Sequence, residues 1–258
     1  MSTALVTGAT SGIGLGFVNQ LASDGYDLVL VARDRQRLDA TAQRIAVTGV
    51  QVEVLAADLS DAQQRRAVEE RVHDDGCPIE VLVNNAGFSA NQDFVGGDVE
   101  SEQAQIDVMV TAVMRLSHAA LPGMVERGHG AVINVSSIAS FLPFGTYSAA
   151  KTWVTSFTQS LATELEGTGV RALALCPGFV RTEFHQRAGI DVNRSNDTWW
   201  REVDAVVTRA MDDLHRGKTI SVEGRAYQAL AAATHILPRD FVRRGERIRR
   251  SRLVRRMH

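Results

Sequence analysis

Short β-branched apolar runs alternate with longer helical stretches along most of the chain, and no other feature restricts its possible folds as much. The runs lie at residues 3–7 (TALVT), 27–32 (DLVLVA), 51–55 (QVEVL), 79–83 (IEVLV), 131–136 (AVINVS), 170–175 (VRALAL) and 219–222 (TISV). Helical patterns fill the intervals near 12–24, 34–47, 61–74, 99–127, 148–166 and 202–216. Most of the runs are continuously apolar, as strands are when helices cover both faces of a parallel sheet. The order predicts an α/β fold: a doubly wound parallel seven-stranded sheet with helices on both faces and right-handed crossovers. Ligands of such sheets sit beyond the carboxyl ends of the strands, where the strand order reverses.

A chain of 258 residues, 45% hydrophobic and 22% charged, can bury a full core within one domain. That domain is expected over residues 1–238, with a basic tail at 239–258. Two cysteines, Cys77 and Cys176, form neither a disulfide framework nor a metal cluster. The amino terminus runs straight into a strand pattern without a signal segment, and no stretch approaches the roughly 18 apolar residues of a spanning helix. A cytoplasmic protein is the expectation. The net charge of −2 hides an asymmetry, because residues 239–258 alone carry +7. Interspersed with Phe241, Val242, Ile248, Leu253, Val254 and Met257, these arginines suit a peripheral membrane contact or a solvated helix packed on the domain. Nucleic acid is not an expected partner, since the rest of the chain is acidic and no reading motif accompanies the tail. Only Lys151 and Lys218 are lysine among 28 basic residues, so each surviving lysine is worth asking about.

Strand 3–7 ends in Thr7-Gly8-Ala9-Thr10-Ser11-Gly12-Ile13-Gly14 and leads into an amphipathic helix. Glycines there permit a tight turn and close backbone approach to a pyrophosphate, which the helix amino terminus attracts through its free N–H groups and dipole. Asn84-Asn85-Ala86-Gly87 follows the fourth strand, Tyr147-Ser148-Ala149-Ala150-Lys151 opens a helix, and Pro177-Gly178-Phe179-Val180-Arg181-Thr182 follows the sixth strand. In this order these segments resemble the T-G-x-x-x-G-x-G, N-N-A-G, Y-x-x-x-K and P-G-x-x-x-T motifs of the short-chain dehydrogenases/reductases, over residues 3–182. Beyond 183 the resemblance is loose.

The resemblance implies a Rossmann-like fold, a nicotinamide cofactor and a substrate lid at about 183–201. It places cofactor contacts at Gly8, Thr10, Ser11, Gly12, Ile13 and Gly14, and an adenine contact at Asp58-Leu59. Further contacts fall at Asn85, Ala86, Gly87, Tyr147, Lys151, Pro177, Gly178, Val180 and Thr182. The second strand ends Ala32-Arg33-Asp34 without an acidic residue at its last position. Arg33, with Arg37 one turn on, suits a 2′-phosphate, while Asp34 suits a helix cap. NADP(H) is therefore expected over NAD(H).

Carbonyl reduction needs a proton donor beside the oxygen that gains charge. An unperturbed tyrosine, with a pKa near ~10, does this poorly. A lysine four residues on along the helix brings a cation near, which is expected to lower that pKa. The resemblance makes Ser137, Tyr147 and Lys151 the catalytic set, with Ser137 preferred to its neighbour Ser136. Two departures stand out. Met109 occupies the position where the family has an asparagine that holds a water linking the lysine to solvent, a task Gln105 one turn earlier could take over. Ser137 and Tyr147 lie only ten positions apart, which shortens the loop between them. His118 is read as packing or surface, and His185 as a possible substrate contact. Trp199 and Trp200 either line an apolar pocket or pack the lid down. The leading expectation is an NADP(H)-dependent carbonyl reductase/alcohol dehydrogenase acting on a lipophilic ketone or alcohol, without metal. The chain is expected to be a homodimer or homotetramer built on helices 99–127 and 148–166. The alternative, favoured by Met109, is a cofactor-binding regulatory or scaffold protein with weak or lost catalysis.

Overall fold

The computed structural model describes residues 2–142, 145–184 and 199–229. His185, most of the expected lid and the basic tail lie outside the described residues. The sheet strands are β1 (Thr3–Thr7), β2 (Asp27–Ala32), β3 (Val52–Ala56), β4 (Ile79–Asn84), β5 (Gly130–Val135), β6 (Val170–Leu175) and β9 (Ile220–Ser221). They form one parallel sheet of seven strands in the order β3-β2-β1-β4-β5-β6-β9. The order reverses between β1 and β4, which creates the crevice that the alternation of elements implies.

Neighbouring residues of each strand serve opposite faces, the two-residue period of a pleated strand. Ala4, Val6, Leu28 and Leu30 pack under α1 (Gly12–Ser23), α2 (Arg35–Ala46) and α7 (Val203–His215), against Phe17, Leu21, Leu38 and Val207. Leu5, Val29, Val31 and Leu82 face the other way, against Val68 of α3 (Ala62–Val72) and Leu116 and Ala120 of α5 (Ala112–Arg127). Fully burying one such side chain stabilises the fold by about 1.5–3 kcal/mol, and the continuous apolar strands bury residues on both faces. α1 closes on α7 because position 16 is glycine; a Cβ there would lie 2.4 Å from Val203.

α4 (Val99–Ile106) passes through one π turn (Asp107–Thr111) into α5. By length and mean hydropathy, 1.4 over its most apolar window, Val99–Arg127 could cross a membrane, contrary to the expectation from counting apolar residues. Half of that window is buried, and α5 packs on β4, β5 and α3, so it serves as a core helix. The long helix α6 (Gly145–Glu164) lies beside it. A second sheet of two short parallel strands, β7 (Phe179–Val180) and β8 (Trp200–Arg201), was not expected from the sequence.

α7 is tied to β9 by a buried carboxylate. Asp213, 1% exposed, accepts from Arg209 Nε at 2.8 Å and Ser221 Oγ at 2.9 Å, and pairs with Lys218 Nζ at 2.9 Å. Burial alone would raise its pKa, but the hydrogen bonds from Lys218, Ser221 and Arg209 hold it below the ordinary carboxyl value. A carboxyl with a depressed folded pKa adds stability that is present above its unfolded pKa and is lost as pH falls through the folded one. Asp213→Ala should therefore cost about 1–3 kcal/mol in urea unfolding at pH 7. The cost should shrink when both proteins are unfolded near pH 3; an equal cost at both pH values would contradict the charge-based account.

Candidate active site

One crevice of about 470 Å³ opens at the carboxyl ends of the strands. Its floor is the turn between β1 and α1. Gly8 and Gly12 adopt φ of +66° and +53°, values that a side chain disfavours. The N-cap residue Ser11 makes no side-chain cap, and the first turn of α1 contains no acidic residue. The leading N–H groups are thus left for an anion, as a pyrophosphate requires. Thr10, Ser11, Gly12 and Ile13 all line the crevice. Gly14 does not. A Cβ on Gly14 would lie 2.2 Å from the Gly8 carbonyl oxygen and 2.4 Å from Asn85 Nδ2, so this glycine lets the helix close beneath the loop.

The opposite wall is held by side chains at the ends of β1 and β4. Thr7 Oγ1 accepts the N–H groups of Asn85 and Ala86 at 2.9 and 3.0 Å and donates to the Val83 carbonyl at 3.3 Å. Asn85 Nδ2 donates to the Thr7 carbonyl at 2.9 Å and contacts that of Gly8 at 3.3 Å. Asn85, Ala86 and Gly87 thereby face the glycine turn across the crevice, with Pro177, Gly178, Val180 and Thr182 along its far rim. Gly178 is packed so closely on Tyr227 that a Cβ would lie 2.2 Å from the ring. The Tyr227 hydroxyl accepts the Phe179 N–H at 3.1 Å and donates to the Trp199 carbonyl at 2.8 Å.

At the other end lie Arg33, Asp58 and Leu59. The Arg33 side chain is 70% exposed and only loosely paired with Asp58, at 3.9 Å. Asp34 caps α2 by accepting from the Arg37 N–H at 3.0 Å, as expected. Arg37 is engaged by Glu183, at 2.9 Å, and by the Thr10 carbonyl, at 3.1 Å. Burial raises the Asp58 carboxyl's pKa, but hydrogen bonds from Ser60 and the nearby Arg33 bring it below its ordinary value. α3 holds the backbone here: Gln64 Oε1 accepts the Asp58 N–H at 2.8 Å, and Arg65 donates to the Leu59 carbonyl at 2.9 Å.

Ser137, Tyr147 and Lys151 share the remaining wall. Ser137 Oγ accepts the Ala139 N–H at 3.1 Å, capping a 3₁₀ turn (Ile138–Phe141) and leaving its own proton for another acceptor. Ser136 is buried and structural; its hydroxyl donates to the Lys151 carbonyl at 2.8 Å and lies 2.7 Å from Thr155 Oγ1. Lys151 is 4% exposed and donates to the Val135 carbonyl at 2.7 Å, with Nζ 5.9 Å from the centre of the Tyr147 ring. Burial lowers the Lys151 pKa to about 8, slightly countered by Cys176. Burial raises that of Tyr147 to about 12, only partly offset by a hydrogen bond from Ser137. The expected lowering of the tyrosine's pKa by the lysine is therefore not found; desolvation sets the direction.

Met109 is fully buried in the π turn. A Cβ on Gly87 would lie 3.3 Å from its Sδ and 3.5 Å from Lys151 Nζ, so thioether and ammonium meet at the same backbone. Gln105, buried on α4, does not line the crevice. Its amide accepts the Ala90 N–H at 2.9 Å and donates to Thr146 Oγ1 at 3.2 Å. Trp199 and Trp200 do not line the crevice; Trp200 packs on Phe179 and Trp199 on Tyr227. Phe88, Ser89, Val108 and Phe184 do line it and were missed. The available signal was adjacency, since Phe88 and Ser89 follow Gly87 directly and Phe184 closely follows Thr182.

The family model described as short chain dehydrogenase matches residues 2–193. An uncharacterised oxidoreductase of Staphylococcus saprophyticus is 37% identical over 183 residues, 69% of this chain and 78% of that protein. A short-chain dehydrogenase from Sphingobium yanoikuyae, solved in complex with NADPH, superposes with a TM-score of 0.84 at 38% identity, covering 91% of this chain and 94% of that one. The bulky-bulky ketone specific alcohol dehydrogenase of Comamonas testosteroni gives 0.79 at 29% identity, covering 91% and 92%. The chain belongs to the short-chain dehydrogenase/reductase family, oxidoreductases that act on CH–OH donors with NAD(P)⁺ as acceptor.

Proposed function

We propose that the protein is an NADP(H)-dependent carbonyl reductase and alcohol dehydrogenase that acts on bulky lipophilic ketones or alcohols through Ser137, Tyr147 and Lys151. The observation that carries this reading is the presence of all three side chains on one wall of the crevice whose floor is an anion-ready glycine turn. The residues fit the cofactor: Gly8 and Gly12 line the crevice at positive φ, and α1 offers uncapped N–H groups. When bound, the nicotinamide supplies the hydride in reduction and takes it up in oxidation. Thr10, Ser11, Gly12 and Ile13 would hold its pyrophosphate, and Asp58 and Leu59 its adenine. Asn85, Ala86, Gly87, Pro177, Gly178, Val180 and Thr182 would enclose the nicotinamide half.

The phenol of Tyr147, at about 12, is protonated at neutral pH and is ready to give its proton to a carbonyl oxygen. The Ser137 hydroxyl, which hydrogen-bonds the phenol, is placed to donate to the same oxygen, and Lys151 offsets the charge left on the phenolate. Phe88, Val108 and Phe184 make the substrate end apolar, with Phe184 5.8 Å from the Tyr147 ring. The Comamonas neighbour's specificity for bulky-bulky ketones agrees with that lining. Arg33 carries the cofactor preference, because its guanidinium is exposed whereas Arg37 is spent on Glu183. The NADPH in the Sphingobium neighbour supports that choice. The half-exposed Ile106 and Met114 on the long helix, and the stacked Trp153 and Phe157 on α6, support a homo-oligomer built on these helices.

Tyr147→Phe should lower turnover of a bulky aryl ketone by about 10³-fold or more while leaving NADPH affinity nearly unchanged, because the hydroxyl is used in the chemical step alone. Lys151→Ala should damage both quantities. Full activity in Tyr147→Phe, followed by NADPH absorbance, would falsify the mechanism.

In calorimetric titrations the wild-type protein should bind NADPH more tightly than NADH. Arg33→Ala should cost about 1–3 kcal/mol with NADPH, as for a lost charged hydrogen bond, and much less with NADH. Equal losses for the two cofactors would assign Arg33 no part in reading the phosphate.

A further inference from the structure

Glu102 and Gln105 are polar residues that α4 buries, at 5% and 1% exposure. A buried carboxylate without a cation is costly unless hydrogen bonds satisfy its oxygens. Here a hydroxyl and an amide do so. Thr146 Oγ1 donates to Glu102 Oε2 at 2.5 Å, and Gln92 Nε2 donates to Oε1 at 3.1 Å. Thr146 Oγ1 in turn accepts from Gln105 Nε2 at 3.2 Å, and Gln105 Oε1 accepts the Ala90 N–H at 2.9 Å. The Ala90 N–H can only donate, which fixes the Gln105 amide with Oε1 toward Ala90 and Nε2 toward Thr146.

Thr146 precedes Tyr147 in the first turn of α6. That turn lacks the backbone partners available to the middle of a helix, so side-chain ties decide where it sits. On its other side, Ser148 Oγ donates to the Ala139 carbonyl at 2.8 Å and Thr152 Oγ1 to the Ser140 carbonyl at 2.7 Å, both in the turn that follows Ser137. The start of α6 is thus held from two directions, by the Ser137 turn and by the buried carboxylate of α4.

We propose that Glu102 is a positioning residue for Tyr147, acting through Thr146, with Gln105 and Gln92 joining the loop after Gly87 to the same point. The inference rests on the reading of Tyr147 as proton donor. Ala90 and Gln92 belong to the loop that begins with the crevice-lining Phe88 and Ser89, so the placement of the substrate wall and of the phenol are linked. Neither Glu102 nor Thr146 lines the crevice, so their effect is on geometry, where an error of about 1 Å can cost on the order of 100-fold in rate.

The test compares Thr146→Val, which keeps the shape and removes the hydroxyl, with Thr146→Ser, which keeps the hydroxyl. Reduction of a bulky aryl ketone by NADPH should show kcat about 10-fold lower in Thr146→Val, with ketone KM and NADPH Kd within about twofold of wild type. Thr146→Ser should restore kcat to within about twofold. Glu102→Ala should match Thr146→Val, and the double variant should be no slower than either single one, as for residues acting as one unit. Wild-type kcat in Thr146→Val, a loss that Thr146→Ser does not recover, or a parallel loss of NADPH affinity would overturn the proposal. The Thr146 pair decides the matter even where Glu102→Ala fails to fold. A dead Tyr147→Phe beside a normal Thr146→Val overturns the positioning role alone, whereas a fully active Tyr147→Phe overturns the proton-donor reading and this inference with it.

Discussion

The Thr7 hydroxyl joins the ends of two adjacent parallel strands whose helices leave toward opposite faces of the sheet. Where β1 and β4 diverge, the backbone loses its ladder partners, and the resulting gap is the crevice. Thr7 Oγ1 closes the base of that gap by accepting two N–H groups from the end of β4 while donating to Val83. A valine of the same shape would leave two N–H donors partly buried and unpaired, a cost that a lost surface hydrogen bond does not carry. Everything on the crevice walls is referenced to this point. The glycine turn follows Thr7 directly. Gly87, where Met109 and Lys151 meet, follows Asn85 by two residues, and Asn85 also ties back to the Thr7 carbonyl.

Parallel order and strand number were legible because apolar runs buried on both faces look unlike anything else in a chain with polar helices between them. β3 slipped by one residue, as an edge strand with only partly buried side chains leaves a weaker boundary. The β7–β8 pair was invisible because two residues are too few for any period. Glycine spacing announced the pyrophosphate turn but did not distinguish Gly12, which faces the crevice, from Gly14, which faces backbone. Ser136 and Ser137 are adjacent and identical in type, and what separates them is that the first spends its hydroxyl on α6 while the second caps a turn at the crevice. Four-residue spacing brought a cation toward Tyr147, yet spacing carries no information about desolvation, so the direction of the phenol's shift was read wrongly. Glu102 and Gln105 carried no motif at all. A polar pair on a helix is ordinarily a solvated face, and their burial is decided by a partner some forty positions away.

The two lysines of this arginine-rich chain sit in different physical situations. Lys218 is half exposed and shares Asp213 with Arg209, a pairing in which either cation serves. Lys151 stands in a desolvated slot between Gly87 and the Val135 carbonyl, where a planar guanidinium would not fit and would not give up its charge. A lysine there titrates at about 8, while the neighbouring phenol titrates at about 12. On the proposed mechanism, that separation has a direction. A phenolate left behind by donation is the stronger base of the two groups, so a proton held by the lysine moves toward it downhill. With a pKa of about 8, the lysine is mostly protonated again at neutral pH. Met109 brings an apolar thioether to the same side of Gly87 as the ammonium, and Gln105 hydrogen-bonds Thr146 and Ala90. On the proposed mechanism a thioether offers no amide to hold a water beside the lysine, whereas the crevice that Lys151 lines is open to solvent. Burial sets the lysine's pKa, and the crevice that Lys151 lines is the one through which a substrate would reach Tyr147.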